Sequence, residues 1–169
     1  LRKFTVANIP AFACLGNHDG GKWASRTYGY ETSEKVEAIL KKAGVFLLRN
    51  QRENIFINEQ KITIAGVGDL WSDDMQPAHA LNRKPLNKPN GERPPILLLS
   101  HNPDSKDELA PYDWDLMLCG HTHGGQCVLP WIGTPFAPVK DHRFVEGLHE
   151  WKNRLIHVTR GVGNLHGLR

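Results

Sequence analysis

The chain has 169 residues, 40% of them hydrophobic, which is enough for one globular domain with a core and too few for two comfortable ones. Its 21 Lys and Arg against 18 Asp and Glu leave +3 with nine His neutral, and neither sign gathers into runs, so charge carries no nucleic-acid-binding signature. No stretch approaches the roughly 20 apolar residues of a membrane span, so the chain is read as soluble as it stands, any export or membrane signal lying before Leu1.

Taken in order, the elements alternate as in an α/β layered protein. Ala11 to Leu15 is a short apolar run ending at Gly16, which fits a buried strand feeding a loop. Thr32 or Ser33 can cap a helix running to about Ala43, with Val36, Ile39, Leu40 and Ala43 at helical spacing and Gly44 as the stop. Val45 to Leu48 reads as a strand. Ile55 to Asn58 and Lys61 to Val67 read as a hairpin turning at Glu59-Gln60. From Ser72 to Pro95 the prolines and polar residues predict a surface excursion with a helical turn near Pro77 to Leu81. Ile96 to Leu99 and Trp114 to Cys119 are apolar strands ending at Ser100-His101 and Gly120-His121. Gln126 to Leu129, His142 to Gly147 and Leu155 to Thr159 complete the β segments. Cys14, Cys119 and Cys127 form no even disulfide set, and all three are read as free thiols.

Three strands thus deliver a histidine at or just past their C-terminal ends, the edge where α/β proteins bind ligands. His18, His101, His121 and His123 can therefore meet in one site, with Asn17 beside them. Imidazole suits Zn, Fe and Mn, and a neutral amide oxygen is an acceptable companion donor. The spacing of His121 and His123 can place both rings on one side of an extended segment, where two neighbouring ions would each take one. Two ions about 3.5 to 4 Å apart activate water and stabilise both the attacking and leaving oxygens of a phosphoryl transfer. Such ions also need carboxylates. Gly68-Asp69-Leu70-Trp71-Ser72-Asp73 approaches a Gly-Asp-x-x-Asp box but has Ser72 where the second Asp should stand.

With residue types each near 5% usage, Gly16-Asn17-His18-Asp19 arises by chance in about one chain in a thousand of this length. In order with Ser100-His101-Asn102-Pro103 and Gly120-His121-Thr122-His123, it resembles the last three motifs of the calcineurin-like metallophosphoesterases. Gly124-Gly125-Gln126, Gly68-Asp69-Leu70-Trp71, Pro135-Phe136-Ala137-Pro138 and Arg160-Gly161-Val162-Gly163 extend the likeness to a bacterial phosphodiesterase subfamily over nearly the whole chain. The resemblance implies a four-layer α/β/β/α sandwich and a dinuclear centre of two divalent ions (Mn, Fe or Zn). It implies Asn17, His101 and His121 as ligands of one ion and His123 of the other. It also implies His18 as the proton donor to the leaving oxygen, oriented by Asp19; a carboxylate partner would hold that imidazole in one tautomer and raise its pKa.

The family's Asp-x-His and Gly-Asp-x-x-Asp motifs are not among the fifteen residues before Gly16. Residues 1–169 are therefore expected to be the C-terminal portion of one metallophosphoesterase domain, incomplete at both ends. The expected function is phosphodiester hydrolysis on a phosphodiester or nucleotide-linked small molecule. The alternatives are a UDP-2,3-diacylglucosamine-type pyrophosphate hydrolase and a truncated, non-catalytic metal-binding module. Arg160 and Asp69 are weaker candidates for substrate contact. Two blander readings stand beside these: Cys119, His121, His123 and Cys127 as one structural zinc site, and His79, His142, His149, His157 and His166 as surface or structural residues.

Overall fold

The computed structural model describes residues 9–83, 93–125, 131 and 133–162. It is a mixed α/β structure with two sheets. In the smaller one, β1 (Ala11–Ala13) and β2 (Val45–Leu47) run parallel, and α2 (Glu34–Lys42) lies between them in sequence. The larger sheet has six strands in the order β3-β4-β5-β6-β8-β7: β3 (Gln51–Ile57), β4 (Gln60–Gly66), β5 (Ile96–Leu99), β6 (Leu116–Cys119), β7 (Gly147–Trp151) and β8 (Arg154–Val158).

Strands β4, β5, β6 and β8 are parallel and β3 and β7 close the edges antiparallel. Both edge hairpins turn on two consecutive residues with positive φ, Asn58 (49°) and Glu59 (65°), then Lys152 (50°) and Asn153 (60°). That is the type I′ geometry whose twist matches the flanking strands. The first turn thus sits one residue before the Glu59-Gln60 expected from the sequence, and β3 begins at Gln51 rather than Ile55.

The main core packs on the parallel strands. Leu98, Met117 and Ile156 from three adjacent strands are fully buried, joined by Val67, Leu109, Phe144 and Val158. Trp114 belongs to this core rather than to a strand. Its ring stacks on Trp151 at 6.1 Å, its indole N–H donates to the Leu109 carbonyl, and the Arg154 guanidinium covers it at 4.5 Å. Helix α2 forms where its spacing predicted. Its cap residue Ser33 gives its hydroxyl to Glu37, and it ends at Gly44, φ 70°.

Two features differ from expectation or were not foreseen. His142 to Gly147 is not a strand: Asp141 accepts the Arg143 amide and winds His142–Phe144 into a 3₁₀ turn, so β7 starts only at Gly147. A short helix α1 (Lys22–Arg26) follows the Asn17 loop, and α3 (Pro77–Ala80) supplies the turn foreseen near Pro77. The Gln126 to Leu129 segment and Cys127 lie outside the described residues. Cys14 and Cys119 are free, and burial pushes the Cys14 thiol up to about 12. Among the described residues, no helix is long and apolar enough to cross a membrane.

Candidate metal centre

The four parallel strands of the large sheet all point their carboxyl ends at one edge. Just past those ends stand Asp69, His101, His121 and Arg160, while β1 of the small sheet brings Asn17 and His18 to the same place. Ladder hydrogen bonds continue beyond the strands: the Ser100 amide donates to the Leu118 carbonyl and the Gly120 amide to the His101 carbonyl. The histidines are therefore carried on extensions of the sheet and not on free loops.

Three donor atoms converge there. His101 Nε2 lies 2.9 Å from Asn17 Oδ1, His121 Nδ1 lies 3.2 Å from the same oxygen, and the two nitrogens are 3.3 Å apart. Donors about 2.1 Å from one ion at near-right angles stand about 3 Å from each other, so this triangle is of the size a divalent cation needs. Asn17 is fully buried and His121 nearly so. His121 Nε2 is also buried, without a well-formed hydrogen bond, and the Pro138 carbonyl is the polar group nearest in effect. Among the described residues, no three His, Cys, Asp or Glu side chains form a metal-holding group by themselves. The third donor here is an amide oxygen, which only the resemblance and the geometry single out.

The backbone holds this arrangement under strain. His121 and His123 both have positive φ (69° and 53°), unusual for side chains of their bulk and typical of functional loops. Thr122 between them is completely buried and its hydroxyl donates to the Val145 carbonyl at 2.6 Å, pinning the loop. Gly16 is required for closeness: a Cβ there would lie 2.7 Å from the His101 ring.

Burial, then the neighbouring His101, His123 and His18, push His121 down to about 3, against the Pro138 carbonyl. Burial also lowers His101, and the charge of Asp69 is the first force opposing it. The four histidines thus lie close enough to sense one another. Held below the ordinary imidazole value, both rings favour the neutral form near pH 7, the form that offers lone pairs to a cation.

The remaining predicted residues take other places. His18 is exposed at the mouth, edge-on to Trp23 at 4.7 Å between ring centres. The Asp19 carboxylate accepts the Gly16 amide at 2.7 Å and so closes its own turn. Asp69 is buried, with Oδ2 on the Ser72 amide and Oδ1 without a hydrogen bond, and desolvation raises its pKa. Arg160 is exposed and paired with Glu146 beside Gly124. Cys119 packs in the apolar core, which counts against a structural zinc site with His121 and His123. His79, His142 and His157 are at the surface, and His149 bonds the Glu146 carbonyl. His166 is outside the described residues.

Sequence reasoning missed Asn50. With φ 55° it turns its amide inward, accepting the Gly68 and Gln76 amides and donating to the Asp74 carbonyl. It thereby holds the loop that presses Trp71 edge-on against His121, 4.3 Å between ring centres. An Asn after a short strand, ahead of a hairpin, gave no distinctive signal.

The calcineurin-like phosphoesterase family matches residues 1–125. Among curated proteins, the chain is 45% identical to phosphodiesterase YaeI of Escherichia coli, covering 95% of this chain and 54% of that protein. It is 30% identical to the uncharacterized metallophosphoesterase YkuE of Bacillus subtilis over 96% of this chain and 52% of that one. It is 27% identical to UDP-2,3-diacylglucosamine pyrophosphatase LpxG of Chlamydia trachomatis over 96% and 61%. The chain therefore spans little more than half the length of these relatives. No solved structure matches it significantly.

Proposed function

The chain belongs to the calcineurin-like phosphoesterases, and from that membership we propose that it acts in metal-dependent phosphodiester hydrolysis at the Asn17, His101 and His121 donor triangle. The observation that carries the proposal is the convergence of three lone-pair atoms within 2.9 to 3.3 Å at the strand ends. Asn17, His101 and His121 hold one divalent ion and His123 contributes to a second, Mn, Fe or Zn being suited to such donors. When bound, the ions supply an activated water and neutralise phosphate oxygens.

The chain's own residues do the rest. Desolvation keeps His101 and His121 unprotonated, so no proton has to leave before they ligate. His18, exposed and set edge-on to Trp23, gives a proton to the leaving oxygen. Asp19 acts through the turn: by accepting the Gly16 amide it sets the directions of Asn17 and His18. Asp69, buried and felt by His101, is a positioning residue rather than a substrate contact. Arg160 stands at the rim with Glu146.

Metal content and turnover test this together. The purified chain should bind Mn, Fe or Zn, about two ions per chain, and cleave bis(p-nitrophenyl) phosphate. His121→Ala should lose both. Fewer than one ion and no cleavage would favour a metal-binding module without catalysis, a reading supported by the absence of a carboxylate in the triangle. Preferential cleavage of UDP-2,3-diacylglucosamine would move the substrate to a nucleotide-linked pyrophosphate, the class named for the LpxG relative.

A further inference from the structure

A cavity of about 220 Å³ opens onto the donor triangle, with Asn17 and His121 on its polar side and Trp23, Trp71, Phe136 and Pro138 on its apolar side. Trp23 comes from α1, Trp71 from the loop after β4 and Phe136 from the segment before Pro138. Trp23 and Trp71 stand 5.6 Å apart, tilted 37° to each other. Together with His18 and His121 they make an unbroken ring series from the exposed histidine to the buried one. Trp71 remains 36% exposed and Phe136 73% exposed, although both are large apolar side chains.

Among the described residues, no Leu, Ile or Val lines this cavity, and the titratable side chains on it are His18, His121 and His123. A greasy chain would be held as well by aliphatic walls; walls made of π-faces favour a flat ring, which stacks whatever its substituents. The volume is below the roughly 300 to 1,000 Å³ of sites that enclose a drug-sized ligand. It accepts one ring, with the rest of the molecule outside.

We propose that the Trp23, Trp71 and Phe136 cavity binds a planar aromatic group, a nucleobase or aryl ring, carried on one side of the scissile phosphate. This rests on the phosphodiesterase reading above and narrows its substrate class to nucleoside or aryl esters. Trp71 touches the ring and also packs on His121, so the cavity reports directly to the donor triangle.

Binding of 5′-AMP and of ribose 5-phosphate to the 169-residue chain, each measured with and without Zn²⁺, tests it. The two ligands share phosphate and sugar and differ by the ring alone. AMP should bind about tenfold tighter or more, since base–aromatic stacking is worth about 1 to 3 kcal/mol. Its adenine H2 and H8 resonances should move upfield in the tryptophan ring currents. Phe136→Ala, at an exposed position, should reduce the AMP advantage and leave ribose 5-phosphate affinity unchanged, and Trp71→Leu should reduce the ratio of the two affinities.

Equal affinities, or unshifted adenine protons, would overturn the proposal. So would hexyl phosphate binding as tightly as AMP, because that would mark an apolar pocket indifferent to rings. Aryl and nucleoside esters are then told apart by phenyl phosphate, the ring source being whichever binds tighter. The comparison reads binding only: loss of diester cleavage with the AMP advantage intact sinks the catalytic reading, and cleavage without that advantage sinks this one.

Discussion

Gly16 shows how much one missing methyl decides. A Cβ there would sit 2.7 to 2.8 Å from three atoms of the His101 ring, so Gly16→Ala must turn that ring off Asn17 Oδ1. We expect metal affinity to fall about 10- to 100-fold, the usual penalty for disturbing a ligand's support, as measured by metal titration of folded protein. Unchanged affinity would mean that the ring has room to give. His121 sets a pH dependence in the metal-free chain. Its folded pKa is about 3 against 6.5 for the free imidazole, so between those values the unfolded state binds the extra proton. Stability then rises with pH across that window and is lost as pH falls from 6.5 towards 3. Urea midpoints should trace this fall, and His121→Gln should flatten it; an unaltered profile would assign the acid sensitivity elsewhere.

At the scale of elements, the site depends on loops tied by single side chains. Asn50→Ala removes three hydrogen bonds from the 68–76 loop and leaves buried partners unmet. A loss of about 2 to 3 kcal/mol is expected, with Asn50→Gly little better, since glycine restores the positive φ without the bonds. Chemical denaturation decides it, and a cost under half a kcal/mol would show that the loop holds without Asn50. Thr122→Val keeps shape but strands the Val145 carbonyl, for about 1 to 3 kcal/mol. Elements were legible where pattern and punctuation agreed, as in α2 between Ser33 and Gly44. They were misread where a local side-chain bond overrode an apolar pattern, as Asp141 does at His142–Phe144. Strand β7 was missed because its exposure alternates weakly, only Trp151 being buried.

For the whole molecule, core and site share the same strands. Trp114→Ala would remove the stacking partner of Trp151 and the cover of Arg154, at about 3 to 5 kcal/mol. That is a large part of the 5 to 15 kcal/mol typical of a domain, so a marked drop in Tm is expected by calorimetry. Conversely, an ion bound only by the folded triangle should stabilise by about 2.7 kcal/mol at a hundredfold excess over Kd. EDTA should reverse that gain, and a Tm indifferent to both would argue against a folded metal site.

The motifs around Asn17, His101 and His121 were readable in the chain because metal ligation constrains residue type and order, and order survives in one dimension. That they could meet followed from their places at strand ends, but the 3.3 Å spacing did not, since it depends on four parallel strands and a second sheet ending at one edge. Nor was the Trp23, Trp71 and Phe136 cavity readable: separated by dozens of residues, these rings carry no mutual spacing. Chemistry resides in side-chain identity and can be read locally; distance between remote side chains is a property of packing alone.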